Sequence, residues 1–258
     1  MPDNNNWRLL FTPNEDSYMN MAIDEALAVK CGDTSNGLPT IRFYTWKDPS
    51  CSIGYFQKIE KVLSALKEKS IPIVRRPTGG GVVFHGNDLT FSIIKKRIPD
   101  KSPEDISTLY KLIGKSIIMG LSKPGLECKF YIPDGNPDRT RLEKAVLKTQ
   151  SGDRSICSLS PAKYDVLING SKVAGYAARR SRNVFLCQGY LDMCEIYKDE
   201  HNGSRTKMIG LLYSNLVKSF ENIFKARFMS SQLSFQEEEL ANQIKERKYS
   251  CKAWNYRK

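Results

Sequence analysis

Histidine is nearly absent from the 258-residue chain, which has only His85 and His201. Its seven cysteines (Cys31, Cys51, Cys128, Cys157, Cys187, Cys194 and Cys251) include no Cys-x-x-Cys pair. An odd set of thiols without paired spacing argues against a disulfide framework, and so few imidazoles argue against a zinc site. No window approaches the roughly 18 consecutive apolar residues of a membrane span. The opening stretch MPDNNNWRLL lacks the basic-then-apolar layout of a secretory signal. A cytoplasmic protein with reduced thiols and no membrane partner is expected. Acidic residues are also in deficit, 28 against 40 Lys and Arg, for a formal net charge of +12. Such a charge produces a positive field that steers acidic partners at low and moderate salt. With 40% apolar and 10% aromatic residues, the remainder is an ordinary globular composition with enough material for a core.

Apolar residues Met19, Ile23, Ala26 and Leu27 recur at helical spacing, so residues 16–31 read as an amphipathic helix stopped by Gly32. Short β-rich runs follow at Thr40–Trp46, Cys51–Phe56, 71–75, 81–84 and 89–94. In the first of these, alternation places Ile41 and Phe43 inward and Arg42 and Tyr44 outward. Ser102 with Pro103, Glu104 and Asp105 reads as a capped helix start, continued on one face by Ile106, Leu109, Ile113 and Ile117. Residues 134–156 read as a long surface loop with a helical turn around 142–147. Asn169-Gly170, between apolar runs 164–168 and 172–176, is a hairpin signal, with Val184–Leu191 a further strand. Met208, Leu212, Leu216 and Phe220 mark another helix. Ser234-x-x-Glu237 is a capping box opening a charged helix to about Arg247. The fold class expected is α/β (α+β), a mixed β-sheet with helices around it: a catalytic domain over residues 1–225 and a helical, basic extension over 226–258. The extension ends in interleaved cations and rings (Lys245, Arg247, Lys248, Tyr249, Lys252, Trp254, Tyr256, Arg257, Lys258). It reads as a solvated or docking tail. No nucleic-acid-binding signature accompanies it, so nucleic acid is not an expected partner.

The densest segment is Arg75-Arg76-Pro77-Thr78-Gly79-Gly80-Gly81, followed by His85 and Thr90-Phe91-Ser92. Three glycines between β-rich runs permit positive φ and close approach of backbone N–H groups to a ligand. The adjacent arginines and threonine favour a ligand with a carbonyl or phosphate end.

That segment, together with Pro39-Thr40-Ile41-Arg42-Phe43-Tyr44-x-Trp46, Ser52-Ile53-Gly54-Tyr55-Phe56-Gln57 and Met21–Leu27, resembles the biotin/lipoyl protein ligase and octanoyltransferase superfamily over residues 7–225. The resemblance implies a biotin/lipoate protein ligase-like fold. It also implies an acyl-binding tunnel lined by Arg75, Arg76, Thr78, Gly79, Gly80, Gly81, His85 and a later Lys-x-x-Gly segment, here Lys172-Val173-Ala174-Gly175. For His85 two roles stand open: orienting a carrier phosphate or thioester, or bonding the neighbouring loop.

Cys157-x-x-x-Pro161-x-x-Tyr164-Asp165, ahead of Asn169-Gly170-x-Lys172-x-x-Gly175, looks like the cysteine–lysine octanoyltransferases of the LipM type. The resemblance makes Cys157 and Lys172 the catalytic pair. A cysteine can split acyl transfer into two steps by accepting the acyl group as an enzyme thioester. A nearby ammonium can favour its thiolate and stabilise the developing oxyanion. Octanoyl-acyl carrier protein would be the donor and a lysine of a lipoyl domain or glycine-cleavage H protein the acceptor, with no ATP, cofactor or metal. Arg179, Arg180 and Arg182 give the charge a use with acidic carriers. The chain departs from the family pattern at Gly175-Tyr176-Ala177-Ala178 and Cys187-Gln188-Gly189. The alternatives are an ATP-dependent lipoate–protein ligase, a lipoyl amidotransferase, and a non-catalytic acyl- or nucleic-acid-binding module on the same fold.

Overall fold

The computed structural model describes residues 5–33, 37–66, 71–97, 106–122, 127–133, 161–198 and 204–257. Cys157, the helix start at 102–105 and the loop at 134–156 lie outside them. The elements in chain order are β1 (Asn6–Glu15), α1 (Ser17–Asp33), β2 (Thr40–Trp46), β3 (Ser50–Ile53), α2 (Ile59–Leu66), β4 (Ile73–Arg75), β5 (Val83–His85), β6 (Asp88–Lys96), α3 (Ile106–Leu121) and β7 (Cys128–Phe130). After these come β8 (Val166–Ile168), β9 (Ser171–Arg180), β10 (Val184–Asp192), α4 (Met193–Ile196), α5 (Arg205–Phe224), β11 (Arg227–Ser230) and α6 (Phe235–Ile244). A π-helical turn (Lys245–Tyr249) and α7 (Lys252–Asn255) end the described chain. Among the described residues no helix is long and apolar enough to cross a membrane.

Eight strands form one mixed sheet in the order β11-β1-β2-β6-β10-β9-β8-β7, and β4-β3-β5 form a second, small sheet. The Asn-Gly signal becomes a two-residue turn: Ile168 faces Ser171 in register, with Asn169 and Gly170 at φ 47° and 85°. That double positive φ is what a type I′ hairpin requires. The capping box is present as read, Ser234 accepting from Glu237 N–H and Glu237 reaching back to Ser234 N–H.

Both faces of the large sheet are covered. On one, Ile41, Phe43, Phe91, Ile113, Ile117, Leu216 and Phe220 pack under α3 and α5. On the other, Leu10, Met21, Leu27, Tyr44, Trp46, Ile94 and Leu186 pack with α1, Ala241 and Tyr249. The outward placement expected for Arg42 and Tyr44 is therefore wrong, for both are fully buried. A period-two pattern distinguishes inside from outside only when one face of the sheet is solvated.

Arg42 is tolerated because α1 brings it a carboxylate. Its Nη1 donates to Asp24 Oδ1 (2.7 Å) and Asn20 O, its Nη2 to Asn20 Oδ1 and its Nε to Thr12 Oγ1. Ser92, Tyr44 and Gln188 also donate to Asp24. Removing one partner from a buried ion pair leaves an uncompensated charge. Asp24→Leu is expected to cost about 3–5 kcal/mol, measured as a lower denaturant midpoint at unchanged slope. A loss within the ordinary surface range of about 0.5 kcal/mol would show that Arg42 finds other partners.

Residues 227–257 pack against the rest. β11 pairs in parallel with β1, Arg8 forms a bidentate pair with Glu237 (2.6 and 3.0 Å), and Lys248 bonds Glu25. Tyr249 and Asn255 are buried.

Candidate active site

The small sheet stands beside β9 and β10 of the large one, and a cavity of about 150 Å³ opens between them. Met21, Tyr44, Trp46, Val82, Val83 and Tyr190 give it apolar walls, and Gly80, Gly81, Gly175 and Gly189 keep parts of those walls free of side chains. Cations and hydrogen-bonding groups enter at defined points: Ser52, Arg76, His85, Thr90, Asp165, Lys172 and Gln188. An apolar cleft with a few convergent polar groups is the usual form of a small-molecule site.

The Gly-rich wall is built by close approach. A Cβ on Gly54 would lie 2.0 Å from Gly80 O, so only glycine lets the end of β3 meet this segment, and Gly80 itself has φ 88°. Arg76 splints the turn, donating to Gly79 O (2.8 Å), Gly81 O (2.7 Å) and Ser52 O (3.1 Å). Thr78 donates to Gln188 Oε1 (2.7 Å), whose amide donates to Asp24. The loop is thus tied through β10 to the buried Asp24–Arg42 pair.

Arg75 and Arg76 do different work. Arg75 ends β4 and faces away from the cavity into the C-terminal segment, while Arg76, the next residue, lines the cavity. Arg75 is 1% exposed and donates to the carbonyls of Gly54, Tyr55, Gln57, Trp254, Asn255 and Arg257, while its own carbonyl accepts from Trp254 Nε1. Thr78 and Gly79 also stand behind the cavity lining, whereas Arg76, Gly80, Gly81, His85, Lys172 and Gly175 are in it.

His85 is fixed on three sides. Its Nδ1 lies 2.7 Å from Asp88 Oδ2 and its Nε2 2.7 Å from Ser52 Oγ, and the ring stacks on Trp46 at 3.7 Å and 15°. Trp46 Nε1 donates to Thr90 Oγ1, which donates to Asp88. Burial would raise the Asp88 carboxyl, but His85 and the bonds from Thr90 and Gly86 N–H outweigh it and hold the group below its ordinary value. The order Ser52–His85–Asp88 is that of a serine hydrolase. However, Ser52 Oγ also accepts from Arg76, and the N–H groups of its strand are engaged in ladders on both sides. The strand therefore offers no free donor pair to an oxyanion.

Lys172 is the second residue of β9, after the hairpin turn. Its Nζ lies 2.8 Å from Asp165 Oδ2, with the side chains only 11% and 4% exposed. Asp165 also accepts from Ala162 N–H (2.6 Å), which fixes the turn that precedes β8. Burial raises the Asp165 carboxyl above its ordinary value in spite of the ammonium beside it. Gly175 makes room for the pair, since a Cβ there would lie 2.8 Å from Lys172 Cε and 2.9 Å from Nζ. That contact is a physical reason for the Lys-x-x-Gly spacing. Tyr176 donates to Tyr110 O and Tyr164 O.

Asp165, Ser52, Trp46 and Gln188 received no role from sequence. The hairpin signal alone does not place Asp165: a regular two-residue hairpin would set it opposite Ala174, and the register shift between Val166 and Leu167, after which Val166 faces Ala174, carries it on to Gly175. Trp46, Ser52 and Gln188 come together only through pairing of distant strands.

Residues 16–199 match the model of the lipoyl protein ligase A/B catalytic domain, and the chain belongs to that family. It is 31% identical to the octanoyltransferase LipM of Staphylococcus epidermidis, with 98% of this chain and 99% of that protein aligned. Identity to the LipM of Bacillus subtilis is also 31%, over 98% of each. The fold matches that of a lipoate-protein ligase A bound with ATP (TM-score 0.71, 24% identity, 97% of this chain and 98% of that one). It also matches a bipartite lipoate protein ligase from Thermoplasma acidophilum (TM-score 0.71, 23% identity, 97% and 96%).

Proposed function

We propose that the chain is an ATP-independent octanoyltransferase of lipoylation, working in the cytoplasm. It takes the octanoyl group from acyl carrier protein and passes it through a Cys157 thioester to a lysine amine of a lipoyl domain or glycine-cleavage H protein. The observation that carries the reading is the Lys172–Asp165 pair in the wall of an apolar cavity. Ala162, anchored by the same Asp165, lines that wall. Cys157 precedes Ala162 by five residues, a span of at most about 18 Å.

In the first step the Cys157 sulfur bonds to the thioester carbonyl carbon, the carbon–sulfur bond to the carrier breaks, and the carrier thiol leaves with a proton. In the second the acceptor amine attacks the same carbon, the Cys157 thiol is released, and an amide forms. Lys172 stabilises charge on the carbonyl oxygen in both, and Arg76 splints the Gly-rich wall against which the acyl chain lies. Thioester exchange leaves the acyl group activated and the amide is the stable product, so no nucleotide is required. The two LipM relatives, similar along nearly the whole chain, favour transferase over ligase.

Transfer of octanoyl from its carrier is expected to proceed at full rate after apyrase has removed ATP. Its kcat/KM should fall as ionic strength rises, because the +12 chain attracts an acidic carrier. A strict ATP requirement would replace the transferase with an acyl-adenylate-forming ligase.

A further inference from the structure

Outside the cavity, the loop after β3 carries two aromatic side chains, and one of them is bare: Phe56 is 86% exposed. It stands edge-on to Tyr55 at 4.8 Å. Two guanidiniums lie over the Tyr55 ring, Arg257 at 3.8 Å and Arg179 at 5.2 Å, and Arg257 also donates to Tyr55 O (2.7 Å). Cation–π contact holds arginine heads in place at small cost. β9 then ends in Arg179 and Arg180, followed by Ser181 and Arg182, all exposed.

This surface is continuous with the cavity rim. Tyr55 N–H donates to Thr78 O, and Gly54 sits directly against Gly80. Gly175 and Ala177 line the cavity, and Arg179 follows on the same face of β9. The surface is also rigid, because the Arg75 clamp described above bonds the 54–57 loop and the C-terminal segment at once. The basic and aromatic tail therefore has a role that its composition did not reveal: it supplies Arg257 and Trp254 to one edge of the site.

We propose that Tyr55, Phe56, Arg179 and Arg257 form the docking surface for the acidic carrier domain that delivers the acyl thioester. This rests on the transferase reading. An exposed ring beside one that carries two guanidiniums fits a partner with a small apolar spot inside an acidic face, and charged rims set on-rate and orientation. The donor must hand its chain into the cavity from the rim, and a surface continuous with that rim is placed to receive it.

The test uses Arg179→Glu and Phe56→Ser in the full chain, with two donors in the acylation half-reaction: octanoyl-acyl carrier protein and octanoyl-N-acetylcysteamine. Arg179→Glu is expected to lower kcat/KM for the carrier at least about tenfold, to flatten its salt dependence and to leave the small thioester unaffected. Phe56→Ser should raise KM for the carrier alone. Binding of fluorescently labelled acyl carrier protein, read by anisotropy, should weaken in parallel and needs no turnover. If the transferase reading fails, neither donor acylates the wild type, whereas the docking proposal fails if carrier binding is unchanged in both variants. It also fails if both donors slow together, or if in the complete transfer reaction only the acceptor's KM moves.

Discussion

Incubation with octanoyl-acyl carrier protein and no acceptor is expected to add one octanoyl mass to Cys157, released by hydroxylamine, and Cys157→Ala is expected to abolish both adduct and product. None of the six described cysteines lines the cavity. Burial pushes the Cys51 thiol up to about 12 and Cys128 up to about 11, and raises Cys31 and Cys187 as well. A thiol so shifted holds almost no thiolate near neutral pH, and thiolate is the nucleophile. Cys194 sits in α4 and Cys251 donates to Glu246 O, both away from the site. On the proposed function the nucleophile is Cys157, five residues before the anchored Ala162. Carrier binding should survive Cys157→Ala, since a thiol contributes little contact area, and this separates a lost nucleophile from a lost fold. Octanoyl transfer by the wild type with no adduct trapped on any cysteine would reject the thioester route.

Local signals in the sequence read well and non-local ones did not. The Asn169-Gly170 turn, the Ser234 capping box and the periodic helices at 17–33 and 205–224 each depend on residues within a few positions of one another, and each was legible. β1 was missed: it pairs in parallel with β2 on one side and on the other with β11, more than two hundred residues away. No local pattern announces such a partner. Arg42 and Tyr44 were set outward because α1 hides its burial partners as polar residues, Asn20 and Asp24, within an otherwise apolar helix face. At the site, the motif residues split between the cavity and the segment behind it. Arg76, Gly80, Gly81, His85, Lys172 and Gly175 reach the cavity, while Arg75 clamps the tail behind it.

Replacing Lys172 with methionine is expected to slow acylation of Cys157 by about 10²–10³, by analogy with removal of one oxyanion donor. The substitution keeps the length of the side chain but removes the charge that, in the proposed mechanism, favours the thiolate and meets the carbonyl oxygen. Iodoacetamide labelling of Cys157 across pH, followed peptide by peptide, should show its titration moved upward. The variant also leaves Asp165 buried without its ammonium. Burial already raises that carboxyl, and losing Lys172 raises it further, so the stability cost should be small in acid, where the group is protonated in folded and unfolded states alike. The cost should grow as pH rises and ionisation without a partner becomes necessary. Thermal denaturation of the variant and the wild type over that range measures the difference. Gly175→Ala reaches the same lysine without altering its charge: the new methyl lies within 3 Å of Lys172 Cε and Nζ, and these are the far end of a flexible side chain, so the fold yields and the ammonium moves. Displacement of a catalytic group by about 1 Å can cost about 10² in rate. If Lys172→Met and Gly175→Ala both acylate as fast as the wild type, the lysine is no more than the structural partner of buried Asp165, and the proposed pair with Cys157 is wrong.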